Sequence, residues 1–277
     1  VSKWQERWIY SGSKGEVRVR MRTVVVIILA VGLILSLTVL PGCRRNLAVL
    51  YFTDSDNDFA GKALDRMGFA YTRTYSLTDF AGSFVANAWD IVILDNRHPA
   101  IPEDMFMAVA TLMFYYQQAG GKILLSTCYL DDDDYEDFWA TFGYQHQYSS
   151  LFPINVYRID AAADLWTDPN DVPDLDFTGA TDTYGGAVNA FKGCAVMSGS
   201  KVATFNEAVP GDPNSGAVFK ANSGRTILNA FCLDDAVVGG VPVDSDADGI
   251  PDAVEWYMNE IRALEKAPGE KAKPAPP

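Results

Sequence analysis

The chain reads as an α/β protein in which a parallel sheet carries helices on both faces. Three observations predict this class. Apolar runs alternate with helical stretches from Leu47 to Phe142 in the order β-α-β-α-β-α-β-α. The longer apolar runs end in polar loops, as buried parallel strands do. The helical stretches open near a capping residue or a proline, and most stop at a glycine. Such an order demands right-handed crossovers and a two-faced sheet.

Taken in order, Leu47–Thr53 (LAVLYFT) is an unbroken apolar strand, and Asp58–Met67 is a helix with Asp58 as its N-cap and Gly68 as its stop. Tyr71–Tyr75 is a short second strand. Leu77–Ala86 is a second helix, with Ser76 or Thr78 near its start. Trp89–Asp95 (WDIVILD) is a third strand, followed by a long helix, Pro102–Ala119, closed by Gly120-Gly121. Lys122–Thr127 (KILLST) is the fourth strand and Asp132–Phe142 the fourth helix. Loops after Thr53, Asp95 and Thr127 would gather at the carboxyl edge of the sheet, where open α/β sheets place ligands.

From residue 144 to 200 the alternation is lost. The stretch is rich in Asp, Pro, Thr and Gly and reads as a loop-rich insertion. Three short strands follow, Val202–Phe205, Ala217–Lys220 and Thr226–Phe231, with Asn222-Ser223-Gly224 as a tight turn between the last two. Residues 266–277 form a low-complexity tail, expected to be disordered.

Four segments carry a family resemblance: Trp89–Asp95, Tyr115–Leu125 (YYQQAGGKILL), Phe138–Gly143 (FWATFG) and Gly224–Phe231 (GRTILNAF). Together they resemble class I glutamine-amidotransferase-like domains, most closely the non-catalytic branch that includes trehalose-utilisation-like proteins. The resemblance spans residues 43–235 as a domain and implies a flavodoxin-like three-layer sandwich with a mainly parallel sheet. Active members set a cysteine on an elbow after the fourth strand and a histidine after a late strand. Cys128 stands in the first place, but its neighbours include Leu130 and the run Asp131–Asp134, whose charge opposes a thiolate. The chain has only two histidines, His98 and His146, and neither stands near Phe231-Cys232-Leu233. A thiol without a base is a poor nucleophile. No catalytic residue is assigned, and Cys128 is read as structural.

The N-terminus addresses location. Met21-Arg22 precedes an 18-residue apolar run, Thr23–Leu40, which ends in Pro41-Gly42-Cys43. A basic start, a greasy segment and a small residue before the cut describe an export signal. Leu40-Pro41-Gly42-Cys43 resembles the lipobox of bacterial lipoproteins, with Pro41 where a small or aliphatic residue is usual. The resemblance implies a signal peptide over 21–42, lipidation of Cys43, and a globular part held on the cell envelope, at the periplasmic face or cell surface. The competing reading is an uncleaved anchor, since 18 apolar residues approach a bilayer's hydrocarbon thickness. Residues 1–20 fit neither signal nor fold and read as an extension ahead of the true initiator, Met21.

The chain has 22 basic and 36 acidic residues; 6 and 2 of these fall before Cys43, so the remainder carries a net charge of −18. That charge opposes nucleic acid and favours divalent cations. Three cysteines remain after Cys43, namely Cys128, Cys194 and Cys232. In an oxidising compartment they allow one disulfide, for which Cys128–Cys232 is the expected pair.

The sharpest motif is Asp244-Ser-Asp246-Ala-Asp248-Gly249-Ile250-Pro251-Asp252-Ala-Val-Glu255. Acids fall at loop positions one, three, five, nine and twelve, with glycine at six and the Ile250 carbonyl at seven. This is the spacing by which a twelve-residue loop wraps Ca²⁺ in hard oxygens. Val237–Pro242 precedes it in place of an entering helix, and Pro251 removes a backbone donor. The motif resembles thrombospondin type 3 repeats, which implies a structural Ca²⁺. The unit is expected over 244–265, with a helix opened by Glu255, as a C-terminal addition to the α/β domain.

Two further acidic groups, Asp54-Ser-Asp56-Asn-Asp58 and Asp131–Asp134, are placed by the strand order at the carboxyl edge. Asp54, Asp56, Asp58, Asp131 and Asp132 are therefore candidate crevice residues, for a cation or polyol if not simply for capping. Three functions follow as expectations. The first is a lipid-anchored envelope protein that binds a carbohydrate or protein ligand without catalysis. The second is an envelope hydrolase cutting carbohydrate through paired crevice carboxylates. The third is a purely structural surface protein.

Overall fold

Three apolar runs and the short strand at Tyr71–Thr74 enter the parallel half of one sheet in the computed structural model, which describes residues 47–97, 103–150, 155–160, 163–177, 190–233, 236–238 and 241–269. Residues 1–20, the expected leader 21–42, Cys43 and His98 lie outside the described residues. Among those described, no helix is long and apolar enough to cross a membrane.

The strands are β1 (Val49–Thr53), β2 (Tyr71–Thr74), β3 (Ile91–Asn96) and β4 (Lys122–Thr127), joined by α1 (Phe59–Met67), α2 (Leu77–Ala86) and α3 (Glu103–Gln118). They lie in the order β2-β1-β3-β4, all parallel, and β10 (Thr226–Asn229) adds itself parallel to β4. This is the flavodoxin-like order, with the last strand supplied from late in the chain. Every residue of β1, β3 and β10 is buried, as a sheet covered on both faces requires.

Phe52 of β1 packs edge-on against Phe80 of α2, and Phe84 against Tyr116 of α3, so α2 and α3 cover one face. Tyr51 points to the other face and bonds Asp58 beside α1. That face is completed by α6 (Asp252–Lys266), which packs on α1, β4 and β10. The helix expected to belong to a C-terminal addition is thus part of the domain. Trp256, Tyr257, Ile261 and Leu264 are all fully buried, and a helix with so wide an apolar stripe must find a core.

Residues 144–200 also depart from expectation. Their segment contributes β5 (Tyr144–Ser150), β6 (Tyr157–Arg158), α5 (Asp164–Thr167) and β7 (Ala190–Ala195). With β8 (Ser200–Thr204) and β9 (Gly216–Ala221), these strands extend the sheet beyond β10 in antiparallel fashion. Tyr-Gln-His-Gln-Tyr-Ser-Ser lacks the apolar run of a parallel strand because an antiparallel edge need bury only one face. The fourth helix is shorter than expected. Asp132 accepts from Asp134 N (2.9 Å) and starts a 3₁₀ turn at Asp133–Tyr135, after which α4 runs over Glu136–Thr141.

Two capping details place the loops. Ser76 caps α2 by accepting from Asp79 N at 3.1 Å. Asp58 does not cap α1; it sits at φ 50° and makes no capping bond. Lys266 closes α6 and Ala267 N bonds Ala263 O, so the first residues of the expected disordered tail are ordered; 270–277 lie outside the described residues.

Candidate functional site

The carboxyl edge of the parallel strands holds most of the chain's expected crevice. After β1, Asp54 accepts from Asn96 Nδ2 and from Arg97 N, both at 2.7 Å, and so ties the β1 loop to the end of β3. Asp56 is exposed. Asp58 faces inward under α1, where it accepts from Tyr51 Oη (3.0 Å) and pairs with Arg73 (2.7 Å). Burial nevertheless pushes its carboxyl above the usual range. After β4, Asp131 accepts from Ser149 Oγ at 2.8 Å, and Asp132 caps the 3₁₀ turn. Asp54 and Asp131 come together around Cys128, while Asp58 belongs to the opposite side of β1.

Cys128 itself stands one residue past β4. Its Sγ lies 3.8 Å from Asn96 Oδ1, and Thr127 Oγ1 donates to the same oxygen at 3.1 Å. Burial, then the negative charges of Asp54 and Asp131, push the thiol up to about 12. A group so placed is almost wholly protonated at neutral pH. His146 is on β5, with Nε2 3.1 Å from Ser149 Oγ. Cys128, Cys194 and Cys232 are all free thiols, so the expected Cys128–Cys232 bridge is not formed.

Beneath this edge lies a polar layer that sequence reasoning missed. The strand registers pair Thr53 with Asp95, Asp95 with Ser126, and Ser126 with Asn229. Four adjacent parallel strands therefore present one polar residue each, on one face, and all four are at most 2 % exposed. Glu260 of α6 closes over the row, accepting from Asn229 Nδ2 at 3.1 Å, while its Oε1 is buried without a hydrogen-bond partner. Burial, with Asp95's charge added, raises its carboxyl well above the ordinary value. One signal could have revealed it. Trp256, Glu260 and Leu264 recur at four-residue spacing, so an acid sits in the middle of an apolar stripe.

The twelve-residue loop is the second acidic centre. It is entered through a small hairpin, β11 (Val237–Val238) with β12 (Val241–Pro242). Ala247 and Gly249 take positive φ (58° and 88°), which curls the loop so that one oxygen each from Asp244, Asp246 and Asp248 lie within 4.8 Å of one another. The backbone donors inside the ring support this curl: Gly249 N to Asp244 Oδ2 (3.0 Å), Asp248 N to Asp246 Oδ1 (3.1 Å) and Ile250 N to Asp248 Oδ1 (2.7 Å). Asp252 instead accepts from Ser245 N (2.8 Å) and Ser245 Oγ (2.6 Å) and clasps the loop shut.

Glu255 turns back toward the ring from the first turn of α6 and is 4 % exposed. Burial, then the charges of Asp248, Asp246, Asp252 and Asp244, raise its carboxyl to about 7. Its Oε2 and the Oδ1 of Asp244 are both buried without a hydrogen-bond partner. Buried oxygens of this kind are rare in proteins, and two of them at a loop that also gathers Asp244, Asp246 and Asp248 fit a hard cation.

No protein-family model matches the chain, and no curated protein matches it. Solved structures do resemble it at low identity. A glutamine amidotransferase from Thermotoga maritima is 9 % identical with a TM-score of 0.44, covering 80 % of this chain and 98 % of its own. PurLQS from the same organism is 12 % identical with a TM-score of 0.45, covering 79 % and 99 %. A glutamine amidotransferase from Methylobacillus flagellatus is 7 % identical with a TM-score of 0.41, covering 82 % and 96 %. Likenesses this distant concern chain architecture and bring no activity with them.

Proposed function

We propose that this is an exported, lipid-anchored envelope protein whose amidotransferase-like domain binds a ligand without catalysis and whose 244–255 loop takes a structural Ca²⁺. The observation that carries the non-catalytic reading is the state of Cys128. At the place an amidotransferase nucleophile would occupy stands a thiol pushed up to about 12, flanked by Asp54 and Asp131, with its sulfur against an amide oxygen. On balance that surrounding disfavours a thiolate.

The Ca²⁺ reading is supported by the curl of the loop and by the unpartnered buried oxygens of Asp244 and Glu255. Asp244, Asp246, Asp248, Glu255 and the Ile250 carbonyl would hold the ion. Asp252, committed to Ser245, would shape the loop around it. The ion would supply positive charge where four aspartates and a glutamate crowd, and so favour the folded loop and the start of α6. Anchoring is supported by the apolar run ending at Gly42-Cys43.

The test is the mass of the mature N-terminus recovered from cells. A chain beginning at Cys43 with added acyl mass is expected. An unmodified chain beginning at Met21 and free in the cytosol would sink the anchoring. Turnover of amide or glycoside substrates would sink the non-catalytic reading, and its loss in Cys128→Ser would make that thiol the nucleophile.

A further inference from the structure

A lipid on Cys43 would leave the domain little slack. Leu47, where the described chain begins, follows Cys43 by four residues. Four extended residues reach about 14 Å at most. Leu47 leads into β1, so the tether joins the domain at the amino edge of the parallel strands, opposite the crevice. α6 measures the distance between the two edges. Near its start Trp256 Nε1 donates to Asn229 Oδ1 (3.4 Å) at the carboxyl end of β10, and near its end Glu265 O accepts from Lys122 Nζ (3.1 Å) at the start of β4. The 15 residues of this helix span about 22 Å. The tether is shorter than that span, so the carboxyl edge cannot reach the bilayer with the amino edge turned away.

The amino edge carries side chains suited to an interface. The strand register aligns Val49 with Tyr71 and with Ile91. Leu47, Phe69 and Trp89 each stand two residues earlier, along that edge, and all three are half-buried. Tyr115, in the last turn of α3, is 60 % exposed. Tryptophan and tyrosine are favoured at membrane–water boundaries, where the ring enters the apolar zone and its polar atom stays wet.

Charge divides the edges in the same sense. The loops after β1 and β4 carry Asp54-Ser-Asp56-Asn-Asp58 and Asp131–Asp134 and no base. The loops entering β2, β3, β4 and β10 (68–70, 87–90, 119–121 and 222–225) hold one acid, Asp90, and one base, Arg225. Asp90 is engaged within the protein, accepting from Ala48 N at 2.9 Å. Arg66 closes α1 at this edge, and Arg44-Arg45 fall within the tether. An anionic headgroup layer therefore repels the carboxyl edge and tolerates the amino edge.

We propose that the amino edge of the parallel sheet, at Leu47, Phe69 and Trp89, rests on the headgroup layer of the membrane that holds Cys43. The acidic carboxyl edge and the 244–255 loop then face away from the lipid, open to ligand and cation. This rests on the anchoring reading and adds to it the direction in which the domain faces.

The test uses tryptophan as a native probe. Of the four tryptophans beyond Cys43, Trp139, Trp166 and Trp256 are at most 1 % exposed, which leaves Trp89 open to lipid. Protein recovered from cell membranes is reconstituted into vesicles of phosphatidylethanolamine and phosphatidylglycerol, with or without a headgroup spin-labelled phosphatidylcholine as quencher. Loss of emission is expected for the wild type and not for Trp89→Phe. The double variant Trp89→Phe/Tyr75→Trp moves the probe to the carboxyl end of β2, where Tyr75 is 66 % exposed, and should lose no emission. No loss at position 89, or as much loss at position 75, overturns the orientation; protein that still floats with the vesicles then leaves the anchoring standing. A chain that separates from the vesicles overturns anchoring and orientation together.

Discussion

Two stretches of this chain begin with nearly the same word and end in different chemistry. Asp54-Ser-Asp56-Asn-Asp58 is followed by Phe59, and Asp244-Ser-Asp246-Ala-Asp248 by Gly249. In the first, the acids are drawn outward to protein donors, Asp54 to Asn96 and Arg97, Asp58 to Tyr51 and Arg73. In the second, glycine at φ 88° lets the loop curl, and the acids face one another with two buried oxygens unpartnered. Spacing of carboxylates is therefore not enough to define a cation site. What separates the two is where the donors lie: on β3 and β2 for the first, and within the loop itself for the second, which leaves Asp244 Oδ1 and Glu255 Oε2 without one.

The largest effect should come from the loop. Ca²⁺ at about 100 times its dissociation constant should stabilise the wild-type protein by about 3 kcal/mol, read as a rise in melting temperature. Glu255→Gln should lose most of that rise, while without Ca²⁺ it should melt no lower than the wild type, because it relieves repulsion in the ring. A variant that responds to Ca²⁺ as fully as the wild type would remove Glu255 from the site.

Glu260 sharpens the same contrast in the core, since its Oε1 has no donor either. Its folded-state pKa lies above the ordinary 4.5, so the folded state holds the proton more tightly than the unfolded chain. The associated stability is full below the unfolded value and is lost as pH rises toward the folded one. Glu260→Gln keeps a neutral acceptor for Asn229 and should be more stable than the wild type at mildly alkaline pH, with little difference in acid. Denaturant melts across pH would show it, and a parallel pair of curves would contradict it.

In the satisfied cluster, Asp54→Asn should cost about 1–2 kcal/mol, because an amide cannot accept from both Asn96 and Arg97. Its Ca²⁺ response should be that of the wild type. The smallest change is expected from Cys128→Ser, within about 1 kcal/mol, as befits a thiol that neither ionises nor bridges. A large loss on that substitution would point to a role the geometry does not contain.

Much of the parallel half was legible in the sequence because a strand buried on both faces must be written in apolar residues. Val-Leu-Tyr-Phe and Ile-Val-Ile-Leu admit few other readings. The antiparallel half was not legible, since β5 alternates tyrosines with glutamine, histidine and serine and so resembles a loop. The α6 stripe was visible, but not that it would complete the α1 face rather than stand apart; that depends on where β10 re-enters the sheet. The curl of the 244–255 loop was legible from glycine and carboxylate spacing, whereas the roles of Asp252 and Asp58 were not. Each was assigned by position, and each was taken by a neighbour, Ser245 and Arg73, that lies close only after folding.

The contrast between the two acidic stretches is tested most directly by titrating Ca²⁺ into the whole protein by calorimetry, alongside Asp56→Ala and Asp246→Ala. One ion per chain is expected for the wild type and for Asp56→Ala, with the heat abolished in Asp246→Ala. No heat in the wild type, or equal loss in both variants, would contradict the account.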